Sequence, residues 1–273
     1  MKQIALAVLS YESQRGTLPM AFTPNDTGAQ KFGPCDGDEA PKTTKSYAGN
    51  GLAKHFFLSF ILPYLERQSI HDRIKFDKDF NDGGNLPATQ QDIEVFLCPS
   101  ADSRQKVYAT DYTALVDIND ENYCKHIEAA GLASRKRPVH RLVGMLRDLP
   151  VAIANVQDGL SQTFMLFESA GKPFHYIHGV LRPSDTGKLA ETEYQWASSD
   201  AYDTWGNGTG PAPECVPPTV MNCDNYSGIY SFHPAGAVFA FGDGSADFVS
   251  ETIDVDTFVS LFTAAARDVP GTR

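Results

Sequence analysis

Ala237-Val-Phe-Ala-Phe-Gly-Asp-Gly-Ser-Ala-Asp-Phe-Val249 decides how this chain folds. Apolar residues flank Asp243-Gly244, and that dipeptide is the strongest short-range hairpin signal because both of its residues tolerate positive φ. A two-residue turn there predicts Gly242 opposite Ser245, Phe241 opposite Ala246 and Phe239 opposite Phe248. Side chains two apart along a strand share a face, so this register turns all three phenylalanines toward the core. Extended outward, the same register sets His233 opposite Asp254 and offers the imidazole a carboxylate. Beyond the second strand, Thr257–Ala266 carries Phe258, Leu261 and Phe262 at helical spacing and predicts a closing helix.

At the other end, Lys2–Arg15 places Ile4, Val8 and Tyr11 on one stripe with Ala5 and Leu9 beside it, which is the period of an amphipathic helix. Gly16 and Pro19 end it. Residues 23–50 are rich in Gly, Pro, Asn, Asp and Thr without a period and predict a long surface loop. An apolar stretch from Leu52 to Leu62 follows, after which Pro63 can open a short helix. Strands are expected at Ile93–Leu97, Tyr108–Ile118, Val151–Val156, Thr163–Phe167 and Phe174–Val180, with a turn or short helix at Gln157–Ser161. Residues 183–228 read as mostly irregular. A helix first, several hairpin-compatible strands afterward and no βαβ alternation predict an α+β fold with an antiparallel sheet.

The chain has 273 residues, enough for a substantial core without a metal or disulfide staple. Thirty-four acids against 23 bases give a net charge of −11, which repels a phosphate backbone and sets nucleic acid aside as a partner. The longest apolar run near the start, Ile4–Leu9, falls well short of the ~20 residues of a membrane helix. Five cysteines form no CxxC pair and no zinc-finger spacing. Cys215 and Cys223 bracket a Pro-rich loop that a disulfide would close in an oxidising compartment. Cys98 with Cys124 is a second candidate pair, leaving Cys35 odd.

The spacing His233, nine residues, Asp243-Gly244 resembles the H-X9-DG element that closes a planctomycete-type family of pseudopilin-like proteins of unknown function. Other blocks follow the family's order: Lys2-Gln-Ile-Ala-Leu-Ala with Tyr11 and Gly16-Thr-Leu-Pro19, Leu62-Pro-Tyr-Leu-Glu66, Phe96-Leu-Cys-Pro-Ser100, Asp158-Gly159 leading to Glu168, and Ser250-Glu-Thr-Ile-Asp254. Leu160 and Gln162 depart from the Thr and Asn usual after Asp158-Gly159, and Ala235-Gly236 from the usual glycine pair. The resemblance implies a type IV pilin-like architecture. Residues 1–19 would be the C-terminal half of a prepilin-type helix and its exit, and 20–273 a single globular head with long loop insertions. It further implies an apolar first half of the helix that anchors in a membrane or filament, so that the chain starts midway through that helix. Type II secretion pseudopilin subunits are the implied partners, an extracytoplasmic location follows, and an older family label suggests solute binding.

His233 with Asp254 or Glu251 could form a dyad, but neither a nucleophile elbow nor a His-Glu-x-x-His motif accompanies it, so no catalytic residue is assigned. Asp117, Asn119, Glu121 and Glu128 fall at EF-hand positions one, three, five and twelve and make calcium the one candidate cofactor. His175 and His178 are a weaker metal pair. Trp196, Tyr202 and Trp205 lie in a loop with Asn207 and could stack on a sugar ring, although such aromatics more often pin a long loop to the core. The expected function is a non-enzymatic envelope subunit that assembles through its N-terminal helix; the alternative is an extracytoplasmic glycan or solute-binding module.

Overall fold

The computed structural model describes residues 1–23, 52–101, 108–118, 143–182, 194–199, 203–205, 215, 219–226 and 228–267. The fold is α+β. Helix α1 spans Lys2–Arg15 and ends where Gly16 takes φ 72°, with its N–H donated to the Glu12 carbonyl. The chain then builds three short helices, α2 (Phe57–Ile61), α3 (Gln68–His71) and α4 (Leu86–Thr89). A 3₁₀ turn, Leu62–Leu65, carries Pro63 in its first turn, where its missing N–H costs no bond.

Strands β1 (Tyr112–Ile118), β2 (Phe164–Glu168), β3 (Tyr176–Ile177), β4 (Val180–Leu181), β5 (Asp203–Trp205), β6 (Gly236–Phe241) and β7 (Ala246–Ser250) precede the last helix, α5 (Val255–Phe262). The main sheet has the order β5-β1-β2-β6-β7. Four of its strands run antiparallel, and β5 adds to β1 in parallel at the edge. β3 and β4 form a separate hairpin.

Both faces of the sheet are covered along β2 and β6, and β6 shows how. Phe239 and Phe241 point to one face, where Phe164 stacks on Phe239 with ring centroids 4.3 Å apart and Phe258 of α5 closes the cluster at 5.5 Å from Phe164. Ala240 points the other way, into the core that Ile4, Ala5 and Val8 of α1 share with Phe57, Ile61 and Leu62. α1 thus packs on the segment 57–65 as well as on the sheet. Its Tyr11 meets Tyr64 edge to face at 6.1 Å, and the Tyr64 hydroxyl donates to Gln14.

The hairpin differs from the expected one by a single residue. Ala240 pairs with Ala246 and Val238 with Phe248, while Phe241 N–H bonds to the Ser245 carbonyl. The loop is therefore Gly242-Asp243-Gly244, three residues long: Gly244 N–H closes a turn onto the Phe241 carbonyl and Gly244 takes φ 83°. This is a type I turn followed by a left-handed glycine, the commonest three-residue solution. The Asp243 carboxylate fixes it by accepting from the Ser245 N–H and hydroxyl. A one-residue slip inverts faces, so Phe248 comes to lie 47% exposed while Phe239 and Phe241 are buried.

Three other expected strands change character. Glu94–Phe96 is a 3₁₀ turn, not a strand, because one turn buries Ile93 and Phe96 together while leaving Glu94 outside. Val151 makes only an isolated bridge to Leu18 before a 3₁₀ turn at Ile153–Asn155. The expected strand Phe174–Val180 is broken into β3 and β4 by His178 and Gly179, at φ 47° and 80°. The closing helix starts two residues earlier than expected, because the Asp254 carboxylate caps it by accepting from the Thr257 N–H and hydroxyl.

Candidate functional site

Glu168, the last residue of β2, is 1% exposed, and its carboxylate meets four partners from separate parts of the chain. The β2–β6 register runs Leu166 to Ala240 and Phe167 to Phe239, so its continuation sets Glu168 opposite Val238. The carboxylate itself meets that partner: Val238 N–H donates to Oε2 at 2.9 Å, and the Ser231 hydroxyl donates to the same oxygen at 2.8 Å. Oε1 accepts from the Cys98 thiol at 3.1 Å and lies 3.8 Å from His233 Nε2.

Each contact is positioned by a neighbour. Cys98 leaves the 94–96 turn with its N–H donated to Asp111 Oδ2 at 2.6 Å. The other oxygen of Asp111 accepts from Gly171 N–H at 3.0 Å, so this buried carboxylate ties the Cys98 turn to the residue run after β2. The Ser231 hydroxyl both donates to Glu168 and accepts the His233 N–H at 3.1 Å. His233 stays partly open to solvent, its side chain 35% exposed. The Cys98 sulfur, a Glu168 oxygen and a His233 ring nitrogen all lie within 4.8 Å of one another.

Burial dominates the electrostatics. It pushes the Cys98 thiol up to about 11, helped by the Glu168 carboxylate, so at neutral pH the sulfur is protonated and a poor nucleophile. Burial also raises the Tyr112 hydroxyl, with Cys98 and Glu168 adding to it.

A family model described as protein of unknown function (DUF1559), labelled SBP_bac_10, matches residues 1–256. The chain belongs to the DUF1559 family. No curated protein and no solved structure matches it. In this DUF1559 chain the matched span holds α1, the whole sheet, the hairpin and Cys98, Glu168 and His233.

The residues singled out from sequence separate into several places. Cys98, Glu168 and His233 come from three separate sequence blocks and meet in space. Asp254 is not the carboxylate beside His233, since it caps α5, and Glu251 accepts from Asn222 Nδ2. The one-residue change of register removes the geometry that would have paired His233 with Asp254. Asp158 accepts from the N–H groups of Ala266 and Arg267 at 2.8 and 2.7 Å and holds the chain leaving α5, while Gly159 turns at φ 95°.

Cys215 and Cys223 are joined by a disulfide with Cα atoms 5.7 Å apart. Their sulfurs lie near His178, but bonded to each other they offer no thiolate to a metal, and His175 belongs to neither cluster of ligand-type residues. Cys98 is a reduced, buried thiol, which removes the pairing with Cys124; Cys124 lies outside the described residues. Asp117 stands in β1, so a strand replaces the entering helix of an EF-hand, and Asn119, Glu121 and Glu128 lie outside the described residues. Trp196 is fully buried with its Nε1 donated to the Gln91 carbonyl, which makes it a core anchor and not a face for a sugar. Trp205 contributes backbone to β5, and Tyr202 lies outside the described residues.

Asp111, Ser231 and Asn225 were not legible as site residues. Asn225 Nδ2 donates to the Ala170 and Phe174 carbonyls and its Oδ1 accepts from Tyr176 N–H, bracing the β3–β4 hairpin. Short polar residues in irregular sequence carry no periodic signal, and only burial distinguishes these from surface turn residues.

Proposed function

We propose that this DUF1559 protein is a non-enzymatic envelope subunit of pseudopilin type, in which α1 is the stem that assembles and the sheet with its loops is the head offered to a partner. The observation that carries the reading is the docking of α1 on the closing hairpin. The space above Gly244 is bounded by Leu6 and Leu9, whose methyl carbons lie 3.1 Å from where a β-carbon would stand. The two ends of the chain, the helix block and the H-X9-DG block, thus form one contact. Leu6 packs there yet remains 47% exposed, on the flank of α1 shared with Lys2 and Ser10. That flank is available to a neighbouring subunit.

Among the described residues no helix is long and apolar enough to cross a membrane. We assign anchoring in this reading to a prepilin-type apolar segment ahead of α1, as the sequence resemblance implies. The test is made in the native host, with single cysteines placed at Lys2, Leu6 or Ser10 of the complete gene product. Recovery in the envelope fraction, with oxidative crosslinks through α1 to a second pilin-like chain, is the expected result. Full recovery in the soluble cytoplasmic fraction, with no crosslinked species, overturns the proposal.

A further inference from the structure

We propose that Cys98, Glu168 and His233 form a site for one zinc-class divalent ion, bound by a thiolate sulfur, a carboxylate oxygen and an imidazole nitrogen, with a fourth position left for solvent. The site goes beyond the assembly reading and does not depend on it.

The donor set selects the ion. One sulfur, one nitrogen and one oxygen suit a borderline-soft cation and do not suit calcium or magnesium, which gather oxygens. Zinc–ligand lengths of about 2.3 Å to sulfur and about 2.0–2.2 Å to nitrogen and oxygen set the edges of a tetrahedron at roughly 3.2–3.6 Å. Here the sulfur–oxygen edge is 3.1 Å and the nitrogen–oxygen edge 3.8 Å, and no pair exceeds 4.8 Å. The sulfur–nitrogen edge lies within 4.8 Å, so closing it asks for a movement of at most about an ångström, and the partly exposed His233 ring is the group that can supply it.

The surroundings already orient the ligands. Glu168 Oε2 is held by Ser231 and Val238, which leaves Oε1 to face the sulfur and the imidazole. The Cys98 backbone is held by Asp111, and the His233 backbone by the same Ser231 hydroxyl that holds Glu168. Outer partners of this kind fix metal ligands and are worth roughly 10–100-fold in affinity. Cys98 and Glu168 are buried and His233 opens one side, the arrangement of a three-ligand site with an accessible fourth position. Binding exchanges the thiol proton for the ion: the S–H bond to Glu168 Oε1 is lost, a sulfur–metal bond forms, and the proton passes to buffer.

The experiment uses the full chain, stripped with EDTA, desalted and titrated with Zn²⁺ against a chromophoric chelator and separately with Co²⁺. One equivalent of either ion per chain, with a thiolate-to-cobalt charge-transfer band, is expected. Cys98→Ser is expected to abolish that band. His233→Gln, a change at a partly exposed position, is expected to weaken binding at least ~10-fold while circular dichroism stays that of the parent. Absence of stoichiometric binding to the parent chain overturns the site. So does a band that persists in Cys98→Ser, or an affinity unchanged in His233→Gln, since either result moves the ion elsewhere.

Discussion

Replacing Glu168 tests the interior network directly, and the two informative variants are Glu168→Ala and Glu168→Gln. In the alanine variant the Ser231 hydroxyl and the Val238 N–H lose the acceptor they share, and the Cys98 thiol loses its own. Leaving a buried donor unsatisfied costs about 1–3 kcal/mol, and the thiol, a weak donor, adds little. Two strong donors therefore set the loss at about 4 kcal/mol. Glutamine conserves shape and one acceptor oxygen. With that oxygen turned toward Ser231 and Val238 both bonds survive as neutral ones, each about 1 kcal/mol weaker than a bond to a carboxylate. Relief from burying a charge offsets part of this, so about 1–2 kcal/mol is expected. Urea denaturation in EDTA, with the Cys215–Cys223 disulfide intact, measures both, provided the slope with denaturant is unchanged. A loss below about 1 kcal/mol in Glu168→Ala, or equal losses in the two variants, would refute the assignment of Glu168 as the acceptor on which these donors depend.

Three further outcomes follow from the same geometry. Phe239→Ala is expected to cost about 3–5 kcal/mol and Phe248→Ala under about 1 kcal/mol, because only the first ring is buried; comparable losses in urea would restore the two-residue turn. Gly236→Ala is expected to lose about 3 kcal/mol or fail to fold, since a β-carbon there would stand 2.1 Å from the Val249 carbonyl oxygen, backbone that cannot swing away; an unperturbed melting curve contradicts the β6–β7 packing. Cys98 makes stability fall at alkaline pH. Its thiol ionises near 9 when unfolded and near 11 when folded, so its contribution is complete below the unfolded value and is lost as pH rises through the folded one. About 2–3 kcal/mol should disappear across that interval and the slope should flatten in Cys98→Ala; an identical pH profile in the variant refutes the linkage.

The features legible in the residue order are those set within a few positions. α1 could be bounded because a helical stripe is a local period and Gly16 a local stop, and the hairpin could be located because Asp243-Gly244 demands a turn. Its register could not be counted, since two- and three-residue loops both satisfy Gly242-Asp243-Gly244 and the choice rests on which phenylalanines find Phe164 and Phe258. Ile93–Leu97 and Val151–Val156 depart from the strand pattern of their sequence for a related reason. Short apolar runs bury equally well as strands or as single turns, and only a neighbouring strand edge decides between them.

The site divides along the same line. Cys98, Glu168 and His233 were each visible in a recognisable block, but nothing local relates residues 70 and 65 positions apart. Their meeting required β2 to lie beside β6, Asp111 to hold the turn before β1, and Ser231 to bridge a carboxylate and a backbone amide. Local chemistry set where this chain could turn and which faces it had to bury. Long-range hydrogen bonding in a desolvated interior, where each polar group must find a partner once the layers close, decided which side chains stand together.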